Sequence, residues 1–245
     1  MNCKNCGLRV EGNFCSHCGQ KASIGRITVA NFLHEVSESI FQINRGFFYT
    51  LGELFVRPGK SIDEFLQGKR KRHFKPIAYL IALSTAYFLT TQITGQNTWV
   101  GDIITGWMNH ATEQDANADL PEVATWFLTN YAYATLLLLP VFSLASYLSF
   151  FPFGKTYLEH IVINSYITGQ QAIFYTLFIV VSTVIDSYIV GALPLFIAIA
   201  YTFWVYWQLF PQGNRAVNIL RSILTYILYL VFSVVLLGIL MAFSD

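Results

Sequence analysis

Residues 69–94 read KRKRHFKPIAYLIALSTAYFLTTQIT, with five cations in seven positions (Lys69, Arg70, Lys71, Arg72, Lys75) followed at Pro76 by 19 residues without a charge. An apolar helix of that length covers about 30 Å, the thickness of bilayer hydrocarbon. Cations just ahead of it meet anionic headgroups, at roughly 1 kcal/mol of attraction each. Pro76 suits the first turn of a helix, where its missing N–H costs nothing. The stretch therefore predicts the entry of the chain into a membrane, with the five cations in headgroup contact.

Composition agrees. The 245 residues are 54% hydrophobic and only 12% charged, about half the charge of an ordinary soluble domain. The net charge of +1 hides an asymmetry: residues 1–75 carry 12 Lys/Arg against 6 Asp/Glu, and residues 76–245 carry 3 against 8. Met1 leads into a polar, cysteine-bearing segment with no apolar h-region, so no cleaved leader is expected.

Five apolar segments follow, roughly 76–94, 126–150, 161–185, 189–210 and 218–243. The connection 95–125 carries Asp102, Glu113, Asp115, Asp119 and Glu122 and no Lys or Arg, whereas 152–160 holds Lys155 and 211–217 holds Arg215. Because cytosolic loops carry the excess of Lys and Arg, this pattern expects the N-terminus in the cytosol and the C-terminus in the periplasm of a bacterial inner membrane. Trp126 at the outer end of the second span, and Trp204 and Trp207 towards the inner end of the fourth, suit the interfaces. The third and fourth segments could instead form a re-entrant pair. A stripe at 99–108 (Trp99, Val100, Ile103, Ile104, Trp107, Met108) reads as an interfacial helix on the outer leaflet.

All four cysteines lie in MNCKNCGLRVEGNFCSHCGQ, residues 1–20, as Cys3-x-x-Cys6 and Cys15-x-x-Cys18 separated by eight residues. Each pair brings two thiolates to one ion from a tight turn, and two pairs complete a four-thiolate Zn2+ site. Gly7 and Gly19 suit turn positions with positive φ. The alternative is four free thiols on a tail. Leu8, Val10 and Phe14 between the knuckles are the candidates for exposed contact residues, and His17 reads as an exposed turn residue.

Between ribbon and cations, Phe32, Leu33, Val36, Ile40, Ile43, Phe47, Leu51 and Phe55 recur at helical steps. These helices either lie at the membrane interface or pack on the bundle. Pro58-Gly59 reads as a break, and Ser61-x-x-Glu64 as a capping box opening a short helix that Gly68 closes. The division is thus a zinc ribbon at 1–22, amphipathic and juxtamembrane helices at 23–75, and a transmembrane domain at 76–245.

Intramembrane polar groups are the first place to look for activity. On the third segment His160, Asn164, Thr168 and Gln171 share a face, with Glu159 beside His160 at the cytosolic mouth. They would line a pathway for a small solute, or hydrogen-bond one helix to the next. An enzyme acting on lipid through Glu159 or His160 is a weaker reading, because those neighbours point to different sides of a helix and no nucleophile or phosphate-loop motif is present. Nucleic-acid binding is not expected: the knuckles hold one aromatic, Phe14, and the basic cluster is 50 residues downstream beside the first span.

The segments CKNCGLRVEGNFCSHCGQ (3–20), RGFFYTLGELFVRPGKSIDEFLQGKRKRHFKPIAYL (45–80) and YLEH (157–160) resemble an uncharacterised family of membrane proteins common in Bacteroidota, in which a small zinc ribbon precedes several spans. Looser is a similarity to the Yip1-like five-span proteins, regarded as membrane organisers. The resemblance implies topology and address but no activity. The expectation is an all-α polytopic helical bundle carrying a zinc-ribbon docking module for a protein partner or for self-association: a scaffold, not an enzyme, with a transporter or channel as the alternative. A reporter fused at residue 110 should be active only outside the cytosol, and one fused in 152–156 only inside.

Overall fold

The computed structural model describes residues 1–28, 45–96, 98, 126, 130–185 and 187–242. Among them the regular structure is α-helical: α1 (Arg45–Val56), α2 (Pro58–Leu66), α3 (Pro76–Thr94), α4 (Tyr131–Ser149), α5 (Tyr157–Ser182), α6 (Tyr188–Leu209) and α7 (Arg215–Ala242), with a 3-10 turn at Phe151–Phe153. Residues 1–28 have two isolated bridges, Asn2 with Arg9 and Phe14 with Lys21. The stripe positions 32–43 and 99–108 lie outside the described residues.

Helix α3 starts at Pro76 because Lys75 is extended (φ −65°, ψ 134°), and it stops at Gly95 in the left-handed region (φ 67°). Among the described residues three helices are long and apolar enough to cross a membrane: Pro76–Thr94, Ile189–Leu209 and Arg215–Leu240. Of the other two expected spans, α4 contributes the apolar run Ala134–Ser149. Helix α5 is diluted by Asn164, Gln170 and Gln171. Only 6% of the most apolar stretch of α7 is buried, against 39% for α3. A helix apolar on all sides and covered on almost none calls for hydrocarbon around it.

Side-chain contacts give the helix directions. Helices α3 and α5 run parallel, since the Tyr166 hydroxyl donates to Phe74 O (2.6 Å), that of Tyr79 to Gln170 Oε1 (2.6 Å), and the Tyr87 ring lies 5.7 Å from that of Tyr175. Helix α4 opposes them, with Ser146 at His160 and Ser143 at Asn164. So does α6, with Tyr206 at Asn164 and Thr202 at Gln171. Helix α7 returns against α6, Arg215 over Trp207 and Tyr226 at Thr202. One end of the bundle therefore gathers the starts of α3, α5 and α7 and the ends of α4 and α6. That same end receives α1, α2 and residues 1–28.

The start expected for α2 is corrected. The helical run does break ahead of Pro58, with α1 ending at Val56, but the next helix begins at Pro58 itself as its first-turn proline, after an Arg57 N-cap without a side-chain cap. Ser61 is then interior and cannot open a capping box; its hydroxyl turns instead to His73 Nε2 at 3.0 Å. On α1 the buried face is Thr50 and Leu54, with Phe47 and Leu51 against the core, while Phe55 is exposed beside the Phe174 ring. Helix α1 thus packs on the bundle along its described length.

Helix α2 lies on the end of α6, where Gln208 Oε1 accepts from the N–H groups of Gly59 (3.1 Å) and Lys60 (3.4 Å), and Lys155 pairs with Asp63 at 2.9 Å. The approach is close enough that a Cβ on Gly59 would lie 2.6 Å from Val205 O and 2.8 Å from Leu209 N. Gly59→Ala should therefore lower stability by about 1–3 kcal/mol, as overpacking does. Gly52→Ala on α1, where a Cβ meets open space, should be neutral or add up to about 1 kcal/mol. Denaturation of the detergent-solubilised protein compares the two.

Candidate metal centre and its mount

The two knuckles repeat one backbone pattern. Gly7 N donates to Cys3 O and Cys3 N to Leu8 O; Gly19 N donates to Cys15 O and Cys15 N to Gln20 O, all at 2.8 Å. Each glycine has the positive φ its turn needs, 78° and 69°. The result points four sulfurs inward, all within 4.8 Å of one another, with Cys3 to Cys18 and Cys6 to Cys15 at 3.6 Å. A tetrahedron with metal–sulfur bonds near 2.3 Å has edges of about 3.8 Å, so the cage is of the size a thiolate-bound ion requires. Without an ion the thiols share protons unequally. The N–H groups of Cys18 and His17 draw Cys15 down to about 6, whereas Cys6, lowered by the Leu8 N–H, is driven up to about 12 by burial and its neighbouring sulfurs. A divalent cation removes that conflict by holding all four as thiolates.

Of the residues between the knuckles, Leu8 (49% exposed) and Phe14 (60%) face outward. Val10 does not: at 6% exposure it is packed against Cys3 and Cys15. It fills the small core under the cage, a role its spacing gave no sign of. His17 is exposed in its turn.

The cage does not hang on a tail. Buried Gln20 donates through Nε2 to Gly68 O (3.0 Å), and its Oε1 accepts from the N–H groups of Arg70 and Lys71 (3.1 Å each). Lys4 Nζ donates to Ile24 O (2.7 Å), and its Cδ would be 2.8 Å from a Cβ on Gly68, whose φ is 107°. The basic cluster, distant in sequence, is thus the seat of the cysteine unit, which overturns the separation argued from chain position. Its members also hold each other: Lys69 pairs with Glu64 at 3.4 Å, and Arg70 lies over the Phe65 ring at 5.3 Å and donates to Gly25 O. The Lys71 ammonium reaches Gly19, Arg72 is exposed, and Lys75 is half-buried at the start of α3.

A second strut reaches the bundle. Arg26 engages Glu159 through two bonds of 3.0 Å, Nε to Oε1 and Nη2 to Oε2, and Nη2 also donates to Gly154 O at 2.8 Å. Glu159 in turn accepts from Thr156 N (2.7 Å) in a capping box that starts α5. Glu159, expected beside His160 at the mouth of the polar face, is thus the anchor of Arg26 and the cap of α5, and the sequence singles out neither Arg26 nor Gln20. Neither stands in a local pattern that could have found them, because their partners are 133 and 48 to 51 residues away.

The polar face of α5 divides in two. His160 and Asn164 belong to a buried cluster: Asn164 Nδ2 donates to Ser146 Oγ (2.8 Å) and Ser143 Oγ (3.3 Å), the Tyr206 hydroxyl donates to Asn164 Oδ1 (2.9 Å), and Ser146 Oγ shares a bond with His160 Nδ1 (2.9 Å). Further along, Gln171 Nε2 donates to Thr202 Oγ1 (2.9 Å) and Ala198 O (3.0 Å), and with Thr168 lines a mainly apolar cavity of about 90 Å³ between α4, α5, α6 and α7.

Residues 44–88 match a protein family described as a protein of unknown function (DUF3667). The match spans α1, α2, the basic cluster and the first part of α3, the segment on which the cysteine unit sits. No curated protein and no solved structure matches the chain. The apolar helices suggest a membrane protein, of a kind whose activity the family match leaves unassigned, and its four-cysteine cluster could hold a metal ion.

His73 fastens the basic loop, its Nδ1–H donating to Lys69 O (2.8 Å) while Nε2 accepts from Ser61. Burial holds its pKa below the usual imidazole value, although the Lys69 carbonyl opposes this. A histidine kept neutral in the fold contributes fully above about pH 6.5 and loses that contribution as pH falls through its folded pKa. His73→Gln should therefore cost about 1 kcal/mol at pH 7.5, and its deficit relative to the unaltered protein should shrink at pH 5.5, both read by denaturation.

Proposed function

We propose that this protein is a non-enzymatic membrane scaffold in which a Zn2+-bound ribbon, seated at the cytosolic face, docks a protein partner or a second copy of the chain. The observation that carries the reading is the mount. Gln20 and Arg26 hold the cysteine unit on the loop at 68–71 and on α5, and Leu8 and Phe14 face away from that support. Zinc is the ion of choice, since four thiolates in a tetrahedral cage suit its geometry and leave no open position for a reacting water. A closed site of this kind shapes a surface; it does not catalyse.

The topology that accompanies this reading is five spans in a bacterial inner membrane, α3 to α7, N-terminus in the cytosol and C-terminus outside. Its support is that Lys155, Arg215 and the cluster at 69–75 share one end of the bundle. Exposed Arg72 and Lys71 then reach the headgroups. Nucleic acid is not the partner, because the aromatic platform that bases stack on is limited to Phe14.

The alternative of a small-solute pathway rests on the cavity at Thr168 and Gln171. Against it stand the bonds of Gln171 with Thr202 and of Asn164 with Ser143, Ser146 and Tyr206, which occupy the face a pathway would use.

Native mass spectrometry of the full chain should show one zinc per protein, lost in Cys15→Ser. The double variant Leu8→Glu/Phe14→Glu should keep its zinc and its place in the membrane but lose self-association or its co-purifying proteins. An unchanged oligomeric state together with an unchanged set of co-purifying proteins would rule out the docking role.

A further inference from the structure

Where α6 and α7 meet at the gathered end of the bundle, a cleft of about 330 Å³ opens between their side chains, lined by Phe203, Trp204, Trp207, Asn218, Ile219 and Ser222. We propose that this cleft is a site for one anionic phospholipid, its acyl chain between the two helices and its phosphate on Arg215. The inference rests on the membrane placement of α6 and α7, not on the docking role of the ribbon.

Charge argues first. Residues 187–242 contain two arginines, Arg215 and Arg221, and no Asp or Glu. The hairpin therefore supplies no counter-ion of its own. The Arg215 guanidinium lies 4.6 Å from the Trp207 ring centroid and makes no hydrogen bond or ion pair with a described residue. Stacking on the indole face leaves the guanidinium edge, with its N–H donors in one plane, open to a phosphate. Arg215 also opens a helix of 28 residues, whose first-turn N–H groups add partial positive charge beside it.

The walls argue next. Trp204 and Trp207 are each 40% exposed, and neither indole N–H has an acceptor among the described residues. An indole with its ring in an apolar cleft and its N–H unsatisfied is placed for the boundary between acyl chain and ester or phosphate oxygens. Phe203 and Ile219 continue the cleft away from Arg215, so the site is polar at the arginine end and apolar beyond it. Among the available occupants, an amphiphile with an anionic head meets both ends.

The test uses the full chain in dioleoyl-phosphatidylcholine vesicles and follows quenching of tryptophan fluorescence by lipid brominated on its acyl chains. Brominated phosphatidylglycerol should quench more strongly than brominated phosphatidylcholine at equal fraction. Arg215→Gln should reduce the preference about fivefold, the effect of one cation near the surface. Ile219→Phe, which fills the cleft from an exposed position, should remove it with the charge intact. Trp204→Phe/Trp207→Phe should remove the difference between the two lipids and leave the quenching of Trp99, Trp107 and Trp126. Equal quenching by both lipids would overturn the proposal. So would a preference that survives Arg215→Gln and Ile219→Phe but is lost in Lys71→Gln/Arg72→Gln, since the anion would then be held by the basic loop. Loss of self-association in the Leu8/Phe14 variant bears on none of these outcomes.

Discussion

The amide of Asn164 ties three helices. Its nitrogen serves two hydroxyls of α4 and its oxygen takes the phenol of α6, in a setting where bulk water is absent. In hydrocarbon an unpaired polar group costs several kcal/mol, so once asparagine stands at that position its neighbours must answer it. Ser143, Ser146 and Tyr206 do so, and they fix the register in which α4 and α6 lie on α5. Tyr79 with Gln170, and Thr202 with Gln171 and Tyr226, repeat the device at other levels. Packing by apolar surface alone discriminates poorly between registers in lipid, because hydrocarbon is as good a neighbour as leucine.

At the water-facing end the same logic works with backbone groups. In the loop between α2 and α3 the Arg70 N–H and the Gly68 carbonyl meet each other at 3.0 Å, and one side-chain amide, that of Gln20, adds a bond to each and takes the Lys71 N–H as well. Five clustered cations are therefore more than a topological signal. They form a platform whose backbone is bonded by the cysteine unit, with Lys69 paired to Glu64 and Arg70 stacked over Phe65. An ion held by the four cysteines would accordingly be coupled to the conformation of this loop, since Gln20 stands two residues after Cys18.

Much of this was legible in the sequence, and the limits have physical causes. The cysteine spacing gave the cage because two short turns leave little freedom in where four sulfurs go. The limits of α3 were plain since Pro76 and Gly95 are strong local punctuation. Ser61-x-x-Glu64 misled because a capping box is a pattern of residue types, and the N1 proline three positions earlier took the helix start from it. Val10 and Phe14 have the same apolar character in similar surroundings, and only the fold of the knuckles decides which one is covered. Gln20 and Arg26 were missed because their partners come from other elements. The two halves of the polar face of α5 read alike as a row of steps, whereas their partners on α4 and α6 separate them.

The parallel pairing of α3 with α5 bears on the order in which the chain assembles. Tyr79 and Gln170 are 91 residues apart, so at synthesis rates of about 5–20 residues per second α3 waits roughly 5–18 s for the helix it packs against. During that time α3 stands with its Tyr79 hydroxyl unmatched by Gln170 and its Tyr87 ring uncovered by Tyr175. Helix α4 is made first and meets α3 at another place, where Thr135 donates to Ser84 at 3.5 Å. The Arg26–Glu159 strut spans 133 residues, so the cysteine unit, made before the helix it rests on, waits longer than α3 to find its seat. The N-terminal unit thereby reports on the placement of α5, two helices before the bundle is complete: its contact with Glu159 exists only after α5 is in place.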